Sequence, residues 1–373
     1  MNIPFFRPCV GDRTVDYAKA AVESVWWSGG HGGYQDLLAH HLKQIYAYDY
    51  CLLVNSGTSA CRAALAAAKQ KHPERDRVTV PMYSCEANIS PVWEQRMEPV
   101  FMTTGPDGNP FVDDFSDVVN METISAMFLP YIYGEVPIGL DSYQDICYFS
   151  GTSLIADISQ AVGLGHEYVK GDMVVGSLRT EKFLGCGEGG FLLTNDPNLY
   201  LWAKRFCEWG RVSRSTPYTC TSYGNNLLMP GVAAATAYGQ LDVLVDIRMN
   251  KLDAAMMYRN SDVFEERGYF LDRELTSTGI PKYVPWQTMF INENVLAADV
   301  IRVMEENGVE CRPGFYPLEL VWKHYVRDHT QCPLYSLDPV ADKLWKHGVL
   351  FPTPYGLTKA EFSAIENIMR VNF

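Results

Sequence analysis

Between residues 50 and 194 the chain alternates short apolar runs with segments able to form helices. Tyr50 to Val54, Val78 to Val80, Pro99 to Met102, Ser125 to Leu129, Ser153 to Ala156, Val174-Val175 and Gly190 to Thr194 each read as a buried strand. Helix-capable segments at 86–95, 113–120 and 139–147 lie between them. Such alternation predicts a mainly parallel sheet covered by helices, because parallel neighbours need long crossovers. The helix after the first run carries Ala60, Ala63, Ala64 and Ala67 on one stripe, and side chains that small let it lie close to a sheet.

The flanks are helical. Helices are predicted over 13–26 and 35–47, separated by the glycine-rich loop Trp26-Trp27-Ser28-Gly29-Gly30-His31-Gly32-Gly33. His40-His41 lies on the second helix; adjacent helical residues point apart, so the pair cannot chelate a metal together. After Asn195 come a helix over 197–208, a polar stretch to about 222, and one or two long helices over 232–266. From about 270 a smaller α+β segment follows, with strands at 288–291, 310–311 and 349–351 and helices at 296–306, 338–346 and 358–370. The expected division is a large domain over 1–245 and a small one over 246–373.

Charge and cysteine usage narrow the function classes. A net charge of −13 argues against general binding to nucleic acid or anionic membranes. The ten cysteines include no CxxC pair and several sit in apolar runs, which predicts reduced thiols in a cytoplasmic protein. Met1 to Pro8 show no signal-peptide pattern, and no apolar run is long enough to span a bilayer. The sequon Asn88-Ile89-Ser90 then reads as a chance match.

Three segments fall where an open α/β sheet binds its ligands, beyond the carboxyl ends of strands. Ser56-Gly57-Thr58-Ser59 sits between a strand and a helix N-terminus, where free N–H groups and the helix dipole suit a phosphate. The same residues also read as a plain N-cap. Asp157 directly follows an apolar strand, and a buried carboxylate there needs a cationic or hydrogen-bonding partner; it too could cap the next helix. Lys182 precedes the run Gly185-Cys186-Gly187-Glu188-Gly189-Gly190. That run matches GxGxxG as a string, but a strand rather than a helix follows it, so the match to a dinucleotide fingerprint is accidental. A phosphate site, a buried carboxylate and a lone lysine on one sheet suggest pyridoxal phosphate, which has a phosphate, a ring nitrogen and an aldehyde that lysine captures as a Schiff base.

The chain resembles the DegT/DnrJ/EryC1/StrS family of pyridoxal-phosphate sugar aminotransferases nearly from end to end. The resemblance rests on Ile3-Pro4-Phe5, Trp27-Ser28-Gly29-Gly30, Asn55-Ser56-Gly57-Thr58-Ser59-Ala60, Val80-Pro81-Met82-Tyr83-Ser84 and Tyr133-Gly134. It continues through Asp157-Ile158-Ser159-Gln160-Ala161-Val162-Gly163, Ser177 five residues before Lys182, Gly224-Asn225-Asn226, Arg312 to Leu318, and Phe351 to Thr358. It implies an aspartate-aminotransferase-like, fold-type I enzyme. Lys182 would form the Schiff base, Asp157 would pair with the pyridine nitrogen, and Gln160 would contact the phenolic oxygen. Thr58, Ser59 and Ser177 would hold the phosphate, with Ser56 and Gly57 also at the cofactor site. Asn226 would reach the phosphate of a neighbouring subunit in a homodimer. Trp27, Arg312, Tyr316 and Glu319 are the implied substrate positions. The implied reaction moves an amino group, with L-glutamate the donor, to a nucleotide-linked keto-sugar through pyridoxal and pyridoxamine phosphate.

The chain also departs from the family pattern. Cys85 stands where an aromatic residue usually stacks on the cofactor ring. Thr180-Glu181 replaces Pro-Thr, Leu228 replaces an Arg, and Glu319 replaces a His. These leave a keto-cyclitol acceptor and a non-catalytic, cofactor-binding regulatory role as alternatives. A dehydratase of the same family is a further one, although that branch carries His where Lys182 stands.

Overall fold

The computed structural model describes residues 2–25, 27–29, 32–111, 120–212, 219–271, 283–326 and 338–373. The expected helix over 113–120 lies almost wholly outside the described residues, as do Cys332 and Trp26, Gly30 and His31 of the glycine-rich loop.

Seven strands form the main sheet: β1 (Tyr50–Val54), β2 (Arg77–Pro81), β3 (Glu98–Met102), β4 (Ile124–Pro130), β5 (Ser153–Asp157), β6 (Met173–Ser177) and β7 (Gly190–Thr194). Their order is β1-β7-β6-β5-β4-β2-β3. β3, β2, β4, β5 and β6 run parallel, whereas β7 is antiparallel to both β1 and β6. Each of β4 to β7 is buried along its whole length, which is why these runs are continuously apolar rather than alternating. Successive residues still face opposite cores: Leu154 and Ala156 pack on one side of the sheet and Ile155 on the other. The helix Gly57–Lys71 crosses β4 to β7, with Ala60, Ala63, Ala64 and Ala67 fully buried, as the small-residue stripe predicts.

A second, antiparallel sheet has the order β10-β11-β9-β8, from β8 (Tyr269–Phe270), β9 (Thr288–Ile291), β10 (Arg312–Pro313) and β11 (Gly348–Phe351). Tyr258, Phe264, Phe290 and Phe351 fill its core. The strand expected at 310–311 begins at Arg312 instead. Glu310 is diverted because its N–H donates to Ile3 O at 3.0 Å, pairing this segment with the chain's first residues. Two other expectations change. The segment 86–95 splits into Glu86–Asn88 and Ser90–Glu94, and 232–266 breaks into Gly231–Gln240, Leu244–Arg259 and the short Asp262–Glu265. The helix Leu318–Tyr325 is not legible from periodicity over its short length. Among the described residues, no helix is long and apolar enough to cross a membrane.

Candidate active site

Strand register gathers the site at one edge of the main sheet. Gly190, the first residue of β7, stands opposite Val54 at the end of β1 and Ser177 at the end of β6. Asp157 closes β5 beside Pro130, the last residue of β4. Residues far apart in the chain therefore emerge together because β1, β4, β5 and β6 end, and β7 begins, on the same side.

At the N-terminus of Gly57–Lys71, Ser56 is the cap. Its Oγ accepts from Ser59 N at 3.1 Å, and Ser59 Oγ donates to Asn55 Oδ1 at 2.6 Å. The first-turn N–H groups of Gly57 and Thr58 remain outside the helix's own ladder, with the positive end of its dipole behind them. Gly57 is required here by space: a Cβ would stand 2.7 Å from Ser177 Cβ. A Cβ on Gly190 would collide with Ser56 O. The expected phosphate residues Ser56, Gly57, Thr58, Ser59 and Ser177 are thus brought into one cradle. Ser56 is also the N-cap of this helix, as the plainer reading of the segment expects.

Asp157 is buried and held from two sides. Oδ1 accepts from Ser159 N at 2.9 Å and Oδ2 from Asn88 Nδ2 at 2.9 Å. Asn88 is fully buried, and its own Oδ1 accepts from Ser84 Oγ at 2.5 Å. Sequence reasoning set Asn88 aside as part of a chance sequon. The one usable signal was its place, shortly after a strand end that belongs to the site. Gln160 accepts at Oε1 from Tyr133 N at 2.7 Å, which fixes the amide so that Nε2 is the end left to donate. Tyr133 has a φ of 54°, and its hydroxyl shares a 2.5 Å hydrogen bond with Tyr83. A left-handed, non-glycine residue at a strand end is a marker of a constrained site.

Lys182 rides on the hairpin between β6 and β7, pinned by Leu178 N to Gly189 O at 2.8 Å and Thr180 N to Gly187 O at 3.0 Å. A strand follows the glycines, so the dinucleotide fingerprint is indeed absent. Burial holds the Lys182 amine below the ordinary lysine range. Cys85, Glu181 and Asp157 oppose that shift, and Arg179 adds to it. Asp157 stands beside Val175 of β6, the strand that leads into the Lys182 hairpin, and Cys85 and Asp157 lie close enough for their charges to act on the amine. Cys85 is half-buried, and burial pushes its thiol up. Lys182 Nζ lies 3.6 Å from the centroid of the Trp286 ring, a neighbour that sequence reasoning missed.

A family model described as the DegT/DnrJ/EryC1/StrS aminotransferase family matches residues 8–370. The chain belongs to this family. It is a pyridoxal-phosphate-dependent aminotransferase of fold type I, as the sequence resemblance implied. A GDP-perosamine synthase of Vibrio cholerae is 25% identical over 380 residues, covering 100% of this chain and 99% of the relative. An L-glutamine:scyllo-inosose aminotransferase of Streptomyces griseus is 27% identical over 255 residues, covering 64% and 59%. The solved Helicobacter pylori PseC, an aminotransferase involved in the biosynthesis of pseudoaminic acid, superposes with a TM-score of 0.85 at 19% identity, covering 99% of this chain and 98% of that one.

The remaining expected positions of this aminotransferase are more dispersed. Arg312 reaches the hairpin: its guanidinium lies 3.7 Å from Glu181 Oε2 and its Cζ 4.3 Å from the centre of the Phe5 ring. Tyr316 is half-buried, edge-on to Trp345 with centroids 4.9 Å apart. Glu319 is 1% exposed, and among the described residues neither carboxylate oxygen has a hydrogen-bond donor; Lys323 Nζ at 3.9 Å is an ion-pair partner. Burial raises its pKa. Trp27 lies on the surface, with its indole N–H donating to Val22 O at 3.0 Å. Asn226 is exposed, in an isolated bridge with Glu208. It lies on the segment that runs past β1, where Asn55 N donates to Leu227 O at 2.8 Å.

Proposed function

We propose that this aminotransferase transfers the amino group of L-glutamate to the ketone of a nucleotide-linked keto-deoxysugar. The observation that carries the reading is the convergence of Lys182, the Asp157–Asn88 pair and the Ser56–Ser177 cradle at one sheet edge. The relatives named GDP-perosamine synthase favour a GDP-linked acceptor.

The residues fit pyridoxal phosphate. The cradle offers backbone and hydroxyl donors to a phosphate, and glycines stand where a Cβ would fill it. When bound, the cofactor supplies an aldehyde for amine capture and a ring that accepts the electron pair released on deprotonation of the donor carbon. Lys182 would hold it covalently, and as a free amine would move a proton at Nζ. An amine kept below the ordinary lysine range is neutral more often, which both roles require. Asp157 holds the proton on the ring nitrogen, and Asn88 with Ser159 N orients its carboxylate. Gln160 donates from Nε2 to the phenolic oxygen. Cys85 would border the ring, at the position where the family resemblance implies an aromatic residue.

In this reading Asn226 serves the phosphate of a second copy, so the working unit is a homodimer with shared sites. Trp27, Arg312, Tyr316 and Glu319 select donor and acceptor. The large and small domains divide near residue 245, residues 2–8 packing with the small one, and the enzyme works in the cytoplasm.

The test is glutamate-dependent conversion of keto-sugar nucleotides, read by mass spectrometry of the aminated product. A second acceptor class has one observation in its favour, the relative acting on scyllo-inosose. Amination of a keto-cyclitol but of no nucleotide sugar would establish that class instead. Amination of neither overturns the substrate assignment.

A further inference from the structure

Lys251 is a buried lysine outside the set just described. It sits on the helix Leu244–Arg259, is 3% exposed, and has no carboxylate partner among the described residues. Its ammonium instead donates to three neutral oxygens: Trp286 O at 2.8 Å, Thr353 Oγ1 at 3.1 Å and Thr353 O at 3.3 Å. Thr353 Oγ1 in turn donates to Gln287 Oε1 at 2.9 Å, so the acceptor is itself oriented. A lysine buried without a counter-charge is expensive, and an apolar side chain would fill the space more stably. Three acceptors nevertheless surround the amine, so Lys251 is a fixed tie whether Nζ carries two hydrogens or three.

Trp286 is what the tie holds. Its N–H donates to Tyr133 O at 3.1 Å, its carbonyl takes the shortest Lys251 bond, and its indole N–H donates to Glu181 O at 2.9 Å. Its ring face then covers Lys182 Nζ. The ring is thereby fixed by the segment after β4, by the Lys182 hairpin and by the helix Leu244–Arg259. Lys182 and Lys251 also line one small cavity, with Gln240 and Thr180.

We propose that Lys251 is a positioning residue for amino transfer, acting through Trp286 to hold the Lys182 amine in the orientation that the reaction needs. A lysine side chain has four rotatable bonds, and a fixed aromatic face removes much of its sweep. Lys182 must present Nζ to a proton at one carbon, and small misplacements of such a group are costly. The inference rests on the amino-transfer reading of Lys182.

The test uses the full-length holoenzyme with L-glutamate, following the first half-reaction by the visible absorption of the cofactor. Lys251→Met and Trp286→Leu are expected each to lower kcat on the order of ten- to a hundredfold. The donor KM should stay within about twofold, because the lost interaction acts on the reacting step. The double variant should fall no further than the worse single one, since the two residues act as one unit. Additive losses, or an unchanged kcat per cofactor-loaded site alongside a lower melting temperature, overturn the proposal. If Met at 251 prevents folding, Thr353→Val removes one Lys251 acceptor and leaves both partners in place; a severalfold loss of kcat supports the proposal, and no loss overturns it. The wild type separates the two readings. If it transfers no amino group, the assignment of Lys182 fails. If it does and the variants match it, only the role of Lys251 fails.

Discussion

Lys182 and Trp286 meet face to amine: Nζ stands 3.6 Å from the indole centroid, while the same indole donates to the main chain of Glu181, the residue just before the lysine. One aromatic ring therefore contacts both the reactive amine and the backbone that carries it. Trp286 belongs to the segment leading into β9, so the second sheet takes part in placing a residue of the first.

The cradle depends on Gly57. A Cβ there would stand 2.7 Å from Ser177 Cβ, so the helix start or the end of β6 would have to shift. Gly57→Ala is expected to weaken cofactor binding by about tenfold or more, about 1.4 kcal/mol or above. Absorption titration of the apo-protein with pyridoxal phosphate measures it. Wild-type affinity in the variant would mean that the phosphate lies elsewhere.

Asn88 is expected to matter through Asp157. Asn88→Ala leaves Asp157 Oδ2 without its donor, and an unsatisfied buried carboxylate costs about 1–3 kcal/mol. Urea unfolding should show that loss, and kcat should fall with it because the carboxylate is no longer oriented. A variant with unchanged stability and unchanged kcat would remove Asn88 from the site.

Much of this site was legible in the chain because it is local in sequence. Ser56 to Ser59, Asp157 to Gln160 and Ser177 to Lys182 each follow a strand, and strand ends are visible as the points where apolar runs stop. The parallel sheet was legible for the same reason. Asn88 and Trp286 were not, because their roles come from register between distant segments: Asn88 meets a carboxylate 69 residues away, and Trp286 meets a backbone oxygen 105 residues away. Lys251 was hidden within a helix whose periodicity gives no warning that one lysine points inward. The displaced β10 has a similar cause, since Ile3 competes for Glu310 from the other end of the chain.

Lys251 also predicts a pH dependence of stability. Burial lowers its pKa from 10.5 to about 7, and the nearby Lys182 charge contributes. Between those values the unfolded chain binds the proton and the folded chain does not, so this contribution favours folding more as pH rises from about 7. Below that range the folded protein carries the cation and its burial cost. The unfolding free energy of the wild type should therefore gain on that of Lys251→Met by up to about 1.4 kcal/mol per pH unit above neutrality. Urea unfolding of both proteins across this range checks it. A constant gap would mean that Lys251 keeps an ordinary pKa.

The central claim is that Lys182 is the covalent partner of the cofactor, and its neighbour Lys251 provides a demanding control. Borohydride reduction of the holoenzyme followed by peptide mass spectrometry decides between them. The account predicts one reduced pyridoxyl phosphate per chain, on the peptide containing Lys182, and none in Lys182→Ala. Label on Lys251, or undiminished labelling in Lys182→Ala, would contradict it.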